Sequence, residues 1–173
     1  MIQVKKTKLE KVLLITIKSF VDHRGEYVET YNESIYKDKG ININFVQDDY
    51  SKSKKNVLRG LHGDDKTWKL ISCPFGKFYL VVIDLDKSSS TIYQWESFEL
   101  SDENKKQVLI PPNHANGHLI LSDMAIFHYK QSEYYDPKDQ FSYRWDDPQF
   151  DISWPVKIPI LSRRDELGKF VDL

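Results

Sequence analysis

Only one of the 173 residues, Cys73, is a cysteine, so no internal disulfide framework can form. An excess of either charge is also missing. Against 26 Asp and Glu stand 25 Lys and Arg, and the net charge of -1 gives no basic field to draw nucleic acid or a membrane surface. The stretch from Met1 to Lys11 is too charged and too poor in apolar residues for a signal sequence, and with the lone cysteine it reads as cytoplasmic. There is no Walker-type loop and no dinucleotide fingerprint, which excludes a nucleotide used as phosphoryl donor by those routes. Internal repeats, low-complexity tracts and linkers are absent too, so residues 1–173 read as one domain, long enough to bury a continuous core.

What the chain does have is short runs rich in β-branched and aromatic residues, broken by Gly, Pro, Asn, Asp and Ser at all-β intervals. Val12 to Ile17, Val46 and its neighbours, Lys69 to Cys73, Phe78 to Leu85, Thr91 to Leu100, Gln107 to Ile110, His118 to Leu121 and Ala125 to Gln131 read as strands. Only Asn32 to Lys39 reads as a helix. Nearly every position from Phe78 to Leu85 is apolar, the pattern of a strand covered on both faces. Ser101 to Asn104 and Pro111-Pro112-Asn113 are turn chemistry. The lysine-rich Lys52 to Lys55 reads as a solvated loop, and Trp154 to Asp165 as coil packed back on the body.

Val57-Leu58-Arg59-Gly60-Leu61-His62, with Lys69 seven residues further on, offers an imidazole, a guanidinium and an ammonium to one pocket. An imidazole titrates near neutrality and can abstract a proton; an arginine meets phosphate; a lysine can neutralise an oxyanion beside the base. Taken singly these residues stay ambiguous. His62 reads equally as a core histidine, Lys69 as a snorkelling surface lysine and Tyr129 as a buried aromatic with a satisfied hydroxyl. Asp165 could cap a turn, and Arg24 could pair with Asp22 or Glu29.

Order along the chain removes much of that ambiguity. Phe20-Val21-Asp22-His23-Arg24-Gly25 with Glu29, Phe45-Val46-Gln47-Asp48, Ser51-Lys52-Ser53, Val57 to His62 and Lys69-Leu70 are followed by Leu100-Ser101 with Glu103-Asn104, Ile110-Pro111, Gly117 and Tyr129-Lys130. Tyr134-Tyr135, Trp145-Asp146-Asp147-Pro148, Ile152, Trp154-Pro155 and Leu161-Ser162 with Asp165 complete the series. In this order the chain resembles the dTDP-4-dehydrorhamnose 3,5-epimerases, cofactor-free, cupin-like enzymes of nucleotide-sugar metabolism. The resemblance implies an all-β jelly-roll sandwich with short peripheral helices, usually paired as a homodimer. It also implies a nucleotide-diphosphate sugar as substrate, with no cofactor and no metal.

A 4-keto sugar has weakly acidic hydrogens on carbons 3 and 5, and epimerisation needs a base on one face, an acid on the other and a donor at the carbonyl oxygen. The resemblance gives these roles to His62 as base, Asp165 as its orienting carboxylate, Tyr129 as acid and Lys69 near the 4-keto oxygen. Arg24 and Arg59 would flank the diphosphate, with Glu29, Gln47 and Asp49 at polar positions around nucleotide and sugar. Two departures stand out. Ala115-Asn116-Gly117-His118 has Asn116 where the family carries a second histidine, and the acidic partner of that histidine falls on Leu80; Asn116 can still donate a hydrogen bond to the substrate. After His62 the chain reads Gly63-Asp64-Asp65 and then Thr67-Trp68, which looks like the branch acting on GDP-6-deoxy-4-keto-heptoses in capsule polysaccharide synthesis. Asp64 and Asp65 would then meet a guanine edge or sugar hydroxyls, unless they merely solvate a loop. The alternatives are a dTDP-4-keto-6-deoxyglucose 3,5-epimerase, a sugar-nucleotide 3,4-ketoisomerase and a non-catalytic sugar-binding cupin. A metal cupin using His62, His114 and His118 lacks the His-X-His plus Glu spacing.

Overall fold

The computed structural model describes residues 2–171; Met1, Asp172 and Leu173, which the single-domain expectation includes, lie outside it. In chain order the elements are β1 (Gln3–Lys6), β2 (Leu13–Thr16), β3 (Ser19–Asp22), β4 (Gly25–Val28), α1 (Glu33–Lys37), β5 (Gln47–Lys54), β6 (Leu58–Gly63) and β7 (Lys69–Phe75). There follow β8 (Lys77–Asp84), β9 (Trp95–Ser101), β10 (Lys106–Ile110), β11 (His114–Ile120), β12 (Met124–Gln131), β13 (Phe141–Ser142) and α2 (Arg163–Glu166). A six-stranded sheet, β1-β2-β10-β7-β12-β5, faces a five-stranded sheet, β13-β6-β11-β8-β9, while β3 and β4 form a separate hairpin. This is the all-β jelly roll with two short helices.

Alternation along each strand decides what lies between the sheets. Ile71, Val108, Ile110 and Phe127 from the six-stranded sheet meet Phe78, Leu80, Val82 and Ile120 from the five-stranded one. Val81 and Ile83 point the other way and are buried with Leu61, Ala115, Phe150 and Val171. The C-terminal segment therefore covers the outer face of β8, which explains why that strand is apolar at almost every position. On the outer face of the six-stranded sheet, Ile15, Leu70 and Leu109 pack with Tyr36 of α1. Asn32 caps that helix by accepting from the Ile35 backbone N–H at 3.4 Å, so the helix expected from Asn32 to Lys39 is shorter by its cap and last turn.

Three expectations need correction. Lys52 and Lys54 belong to β5, not to a loop: their side chains are exposed while Ser51 and Ser53 turn inward. Outward lysines on an edge strand discourage pairing with other chains, and composition alone makes such a strand look like loop. Thr91 to Gln94 is a turn, with β9 starting at Trp95. The stretch Leu58 to Gly63 is strand β6, and β11 begins at His114, directly after the Pro111-Pro112-Asn113 turn.

Gly60 shows why the Arg-Gly-Leu-His motif needs its glycine. Its φ is +133°, and a Cβ there would lie 2.4 Å from the Gly117 Cα on the neighbouring strand β11. Two glycines thus let β6 and β11 approach at the point where the site residues leave them. Gly60→Ala should cost at least about 2 kcal/mol of stability, combining a strained φ with backbone overlap. Chemical denaturation checks this, and an unchanged unfolding midpoint would contradict it.

Candidate active site

At one end of the sandwich the apolar filling gives way to a polar cavity of about 310 Å³, lined by residues from both sheets. His62 of β6, Asn116 and His118 of β11 enter from the five-stranded sheet; Ser51 of β5, Lys69 of β7, Tyr129 and Gln131 of β12 enter from the six-stranded one. The imidazole and the phenol therefore come from facing sheets, on opposite walls of one cavity. A larger groove of about 870 Å³ includes Ser72, Gln107 and His128 among its lining and holds none of the expected site residues.

His62 Nε2 stands 2.8 Å from Asp165 Oδ1, and Asp165 is only 3% exposed. Helix α2 presents this carboxylate: its cap, Ser162, donates its hydroxyl to Asp165 Oδ2 at 2.6 Å, while the Gly60 N–H donates to Oδ1 at 3.3 Å. Burial pushes the carboxyl up, but the His62 imidazole and the Ser162 hydroxyl outweigh it and hold Asp165 below the usual carboxylate range. Nε2 is the imidazole nitrogen nearer the carboxylate.

Among the described residues no group hydrogen-bonds the Tyr129 hydroxyl. Burial, reinforced by the Asp49 carboxylate opposite it on β5, pushes its pKa up to about 12, so the phenol keeps its proton at neutral pH. Lys69 is 8% exposed, with Nζ 3.7 Å from Asp64 Oδ2. Arg59 lines the cavity and donates from Nε and Nη2 to the Ser53 hydroxyl, both at 3.2 Å. Gln47 and Asp49 sit behind the wall: Asp49 Oδ2 accepts from Gln47 Nε2 at 2.6 Å and from Gln131 Nε2 at 2.9 Å. Asn116 lies directly across the strand pair from His62.

Arg24 and Glu29 are not brought to this cavity by the chain's own fold. Arg24 lies at the turn of the β3–β4 hairpin, paired with Asp22 at 2.7 Å, and Glu29 is exposed just beyond β4. Asp64 is likewise not a rim acceptor. It is 3% exposed and both its oxygens are engaged within the protein, so the guanine or sugar contact expected of it is not available. Asp65 is exposed.

Leu80 is fully buried in the inter-sheet core opposite His118, while Asn116 lies opposite Val82, so no carboxylate stands directly across β8 from either. His118 was not anticipated as a wall of the site. It stacks flat on Phe127 at 3.9 Å, and burial pushes it down to about 3, so it stays neutral. Arg164 and Gln140 also line the cavity and were missed. Arg164 adjoins Asp165 in sequence, which was the available signal. It donates from Nε and Nη2 to the Ser142 hydroxyl at 3.0 and 2.9 Å. Arg59 and Arg164 thus both rest on neutral hydroxyls, in contrast to Arg24 and Arg144, which are paired with carboxylates. His114 stands apart, 3.0 Å from the Pro112 carbonyl and 3.5 Å from Asp84. Among the described residues no three His, Cys, Asp or Glu gather as a metal site, and no helix is long and apolar enough to cross a membrane.

A jelly roll with an imidazole–carboxylate pair, a phenol and two guanidinium groups around one cavity has the side chains that proton transfer on an anionic ligand would need. The family model for dTDP-4-dehydrorhamnose 3,5-epimerase matches residues 6–172. An enzyme of that description from Salmonella typhimurium is 41% identical over 172 residues, covering 96% of this chain and 94% of the relative. The crystal structure of dTDP-4-dehydrorhamnose 3,5-epimerase from Bacillus anthracis with TDP and PPi bound superposes with a TM-score of 0.95 at 34% identity, covering 99% of this chain and 100% of that one. The Legionella pneumophila dTDP-6-deoxy-D-glucose-3,5-epimerase in complex with dTDP-4-keto-L-rhamnose gives 0.93 at 37%, covering 98% and 93%. The chain belongs to the dTDP-4-dehydrorhamnose 3,5-epimerase family.

On the reading in which His62 is the general base and Asp165 orients it, Asp165→Asn should reduce turnover roughly 10²–10⁴-fold. The same group makes stability pH-dependent. Because its folded pKa is depressed, its contribution is present above the ordinary carboxylate pKa of about 4 and is lost as pH falls through the lower folded value. Thermal melts of both proteins between neutral and acid pH test this: the gap should narrow on acidification, and a constant gap would contradict it.

Proposed function

We propose that this isomerase inverts carbon 3, carbon 5 or both of a nucleotide-linked 4-keto-6-deoxy sugar through an enolate. What carries the reading is the placement of the His62–Asp165 pair and Tyr129 on facing walls of one cavity. His62 takes the proton from the carbon beside the carbonyl, and the C–H electron pair moves to form the enolate. Lys69 and Asn116 meet the charge on the 4-oxygen. Tyr129, still protonated, then delivers a proton from the opposite face, and inversion is complete. Solvent then takes the proton from His62 and returns one to the Tyr129 phenolate, with no cofactor called on.

The diphosphate would lie against Arg59 and Arg164, whose charges no carboxylate among the described residues offsets. Arg24 and Glu29 would reach a nucleotide only from a second copy of the chain. The exposed Phe20, Val21 and Tyr27 on the same hairpin support a homodimer that covers them. The relatives' ligands support a thymidine nucleotide, so a dTDP-4-keto-6-deoxyhexose in the cytoplasm is the first substrate to test. A GDP-6-deoxy-4-keto-heptose of capsule synthesis is the second reading; it rests on the sequence departures at Gly63-Asp64-Asp65, Thr67-Trp68 and Asn116-Gly117-His118, of which Asp65 is exposed and Asp64 is engaged within the protein. A 3,4-ketoisomerase would share the first proton abstraction.

In deuterated water, the protein with dTDP- or GDP-linked 4-keto sugars should introduce solvent deuterium at carbon 3, carbon 5 or both, read by NMR. No exchange with any of them would end the epimerase reading for these substrates. His62→Ala should lower exchange by roughly 10²–10⁴-fold, and Tyr129→Phe should keep exchange at one carbon while impairing inversion. Equal loss of both functions would make the tyrosine structural. Chelators should have no effect, and inhibition by them would revive a metal-dependent reaction.

A further inference from the structure

Asp64 is buried, charged and without a part in the chemistry so far. It sits in the turn between β6 and β7, where its Oδ1 accepts from the backbone N–H groups of Lys66 at 3.1 Å and Thr67 at 2.6 Å. Oδ2 accepts from Gln140 Nε2 at 2.7 Å and lies 3.7 Å from Lys69 Nζ. Lys69 and Gln140 are both cavity residues, so one carboxylate fixes two groups that face the substrate. Burial, helped by the nearby Arg164 charge, holds the Lys69 ammonium below its usual pKa, and Asp64 is the group that opposes them without reversing the direction. Arg59, His62, Tyr129 and Asp165 share the cavity with it. A neutral amine at Lys69 could donate a hydrogen bond to a developing enolate oxygen but would bring no charge to it.

We propose that Asp64 is a positioning residue of the site: its buried carboxylate stands as counter-ion to Lys69 and holds Lys69 and Gln140 together, aimed toward the substrate carbonyl. This rests on the reading in which Lys69 meets the 4-keto oxygen. It differs from a merely structural turn residue in making the charge of another side chain depend on it. Asn in its place can still accept from the turn N–H groups, so the turn is kept while the counter-ion is lost.

Asp64→Asn should lower kcat at least about tenfold, change KM by less than about threefold and move the alkaline limb of the kcat profile to lower pH by about one unit or more. Lys69 is also to be followed without substrate, by reductive methylation at pH 8 read out in the Lys69 peptide by mass spectrometry. Labelling should be several-fold faster in Asp64→Asn than in the unaltered protein. An unmoved limb together with unchanged labelling would overturn the proposal. If the unaltered protein shows no exchange on any nucleotide sugar, the epimerase reading fails while the labelling still decides the claim about Asp64. Should Asp64→Asn not fold, Lys69→Met supplies the test from the other side. It leaves the carboxylate buried without its cation, so its loss in Tm should be larger at pH 7 than at pH 4.5, and a loss independent of pH would overturn the pairing.

Discussion

The contact between His62 and Asp165 joins strand β6 to the short helix α2 near the other end of the chain, and the site depends on it. Neither residue arrives alone. The C-terminal segment that carries Asp165 also supplies Phe150 and Val171, which cover the outer face of β8 beside Leu61. Burying those side chains, worth about 1.5–3 kcal/mol for each large apolar group, is what holds the segment against the sheet. Ser162 and the Gly60 N–H then saturate the carboxylate, so that the imidazole meets a group already fixed in place. The two-glycine crossing of β6 and β11 sits at the same point, and packing, backbone freedom and the proposed base are therefore one local problem.

A second regularity runs through the cavity wall. Asp64 and Asp165 each have both oxygens engaged by donors from the protein, and Asp49 Oδ2 accepts from Gln47 and Gln131. The cations are treated in the opposite way. Arg59 and Arg164 are held by serine hydroxyls, which orient a guanidinium without neutralising it. Three cationic side chains, Arg59, Lys69 and Arg164, thus line one cavity of a protein that has almost no net charge.

The all-β class and the buried strand β8 were legible because hydrophobic alternation is a local property of the chain, as at Phe78 to Leu85. Strand β5 was half hidden, since Lys52 and Lys54 face solvent and give the segment the composition of a loop. The site was legible where residue order matched a family: His62, Lys69, Tyr129 and Asp165 do meet in one cavity. Placement in space was not legible. Asp64 looked like a rim residue because a sequence does not reveal that three hydrogen-bond donors and the Lys69 ammonium converge on its carboxylate. Arg24 and Glu29 match the family by position, yet the hairpin that bears them leads away from this chain's own cavity. His118 was weighed only as a metal ligand although, two residues after Asn116, it shares that residue's face of β11, and Arg164 was passed over beside Asp165.

The central claim is geometric: a sugar ring binds between two sheets with the imidazole on one side and the phenol on the other. A crystal structure with a bound nucleotide 4-keto sugar, or its unreactive 4-hydroxy analogue, tests that most directly. The account predicts the ring between His62 and Tyr129, its 4-oxygen toward Lys69 and its diphosphate against Arg59 and Arg164. A sugar ring lodged elsewhere, for example in the groove beside Ser72 and His128, or with both residues on the same ring face, would contradict it.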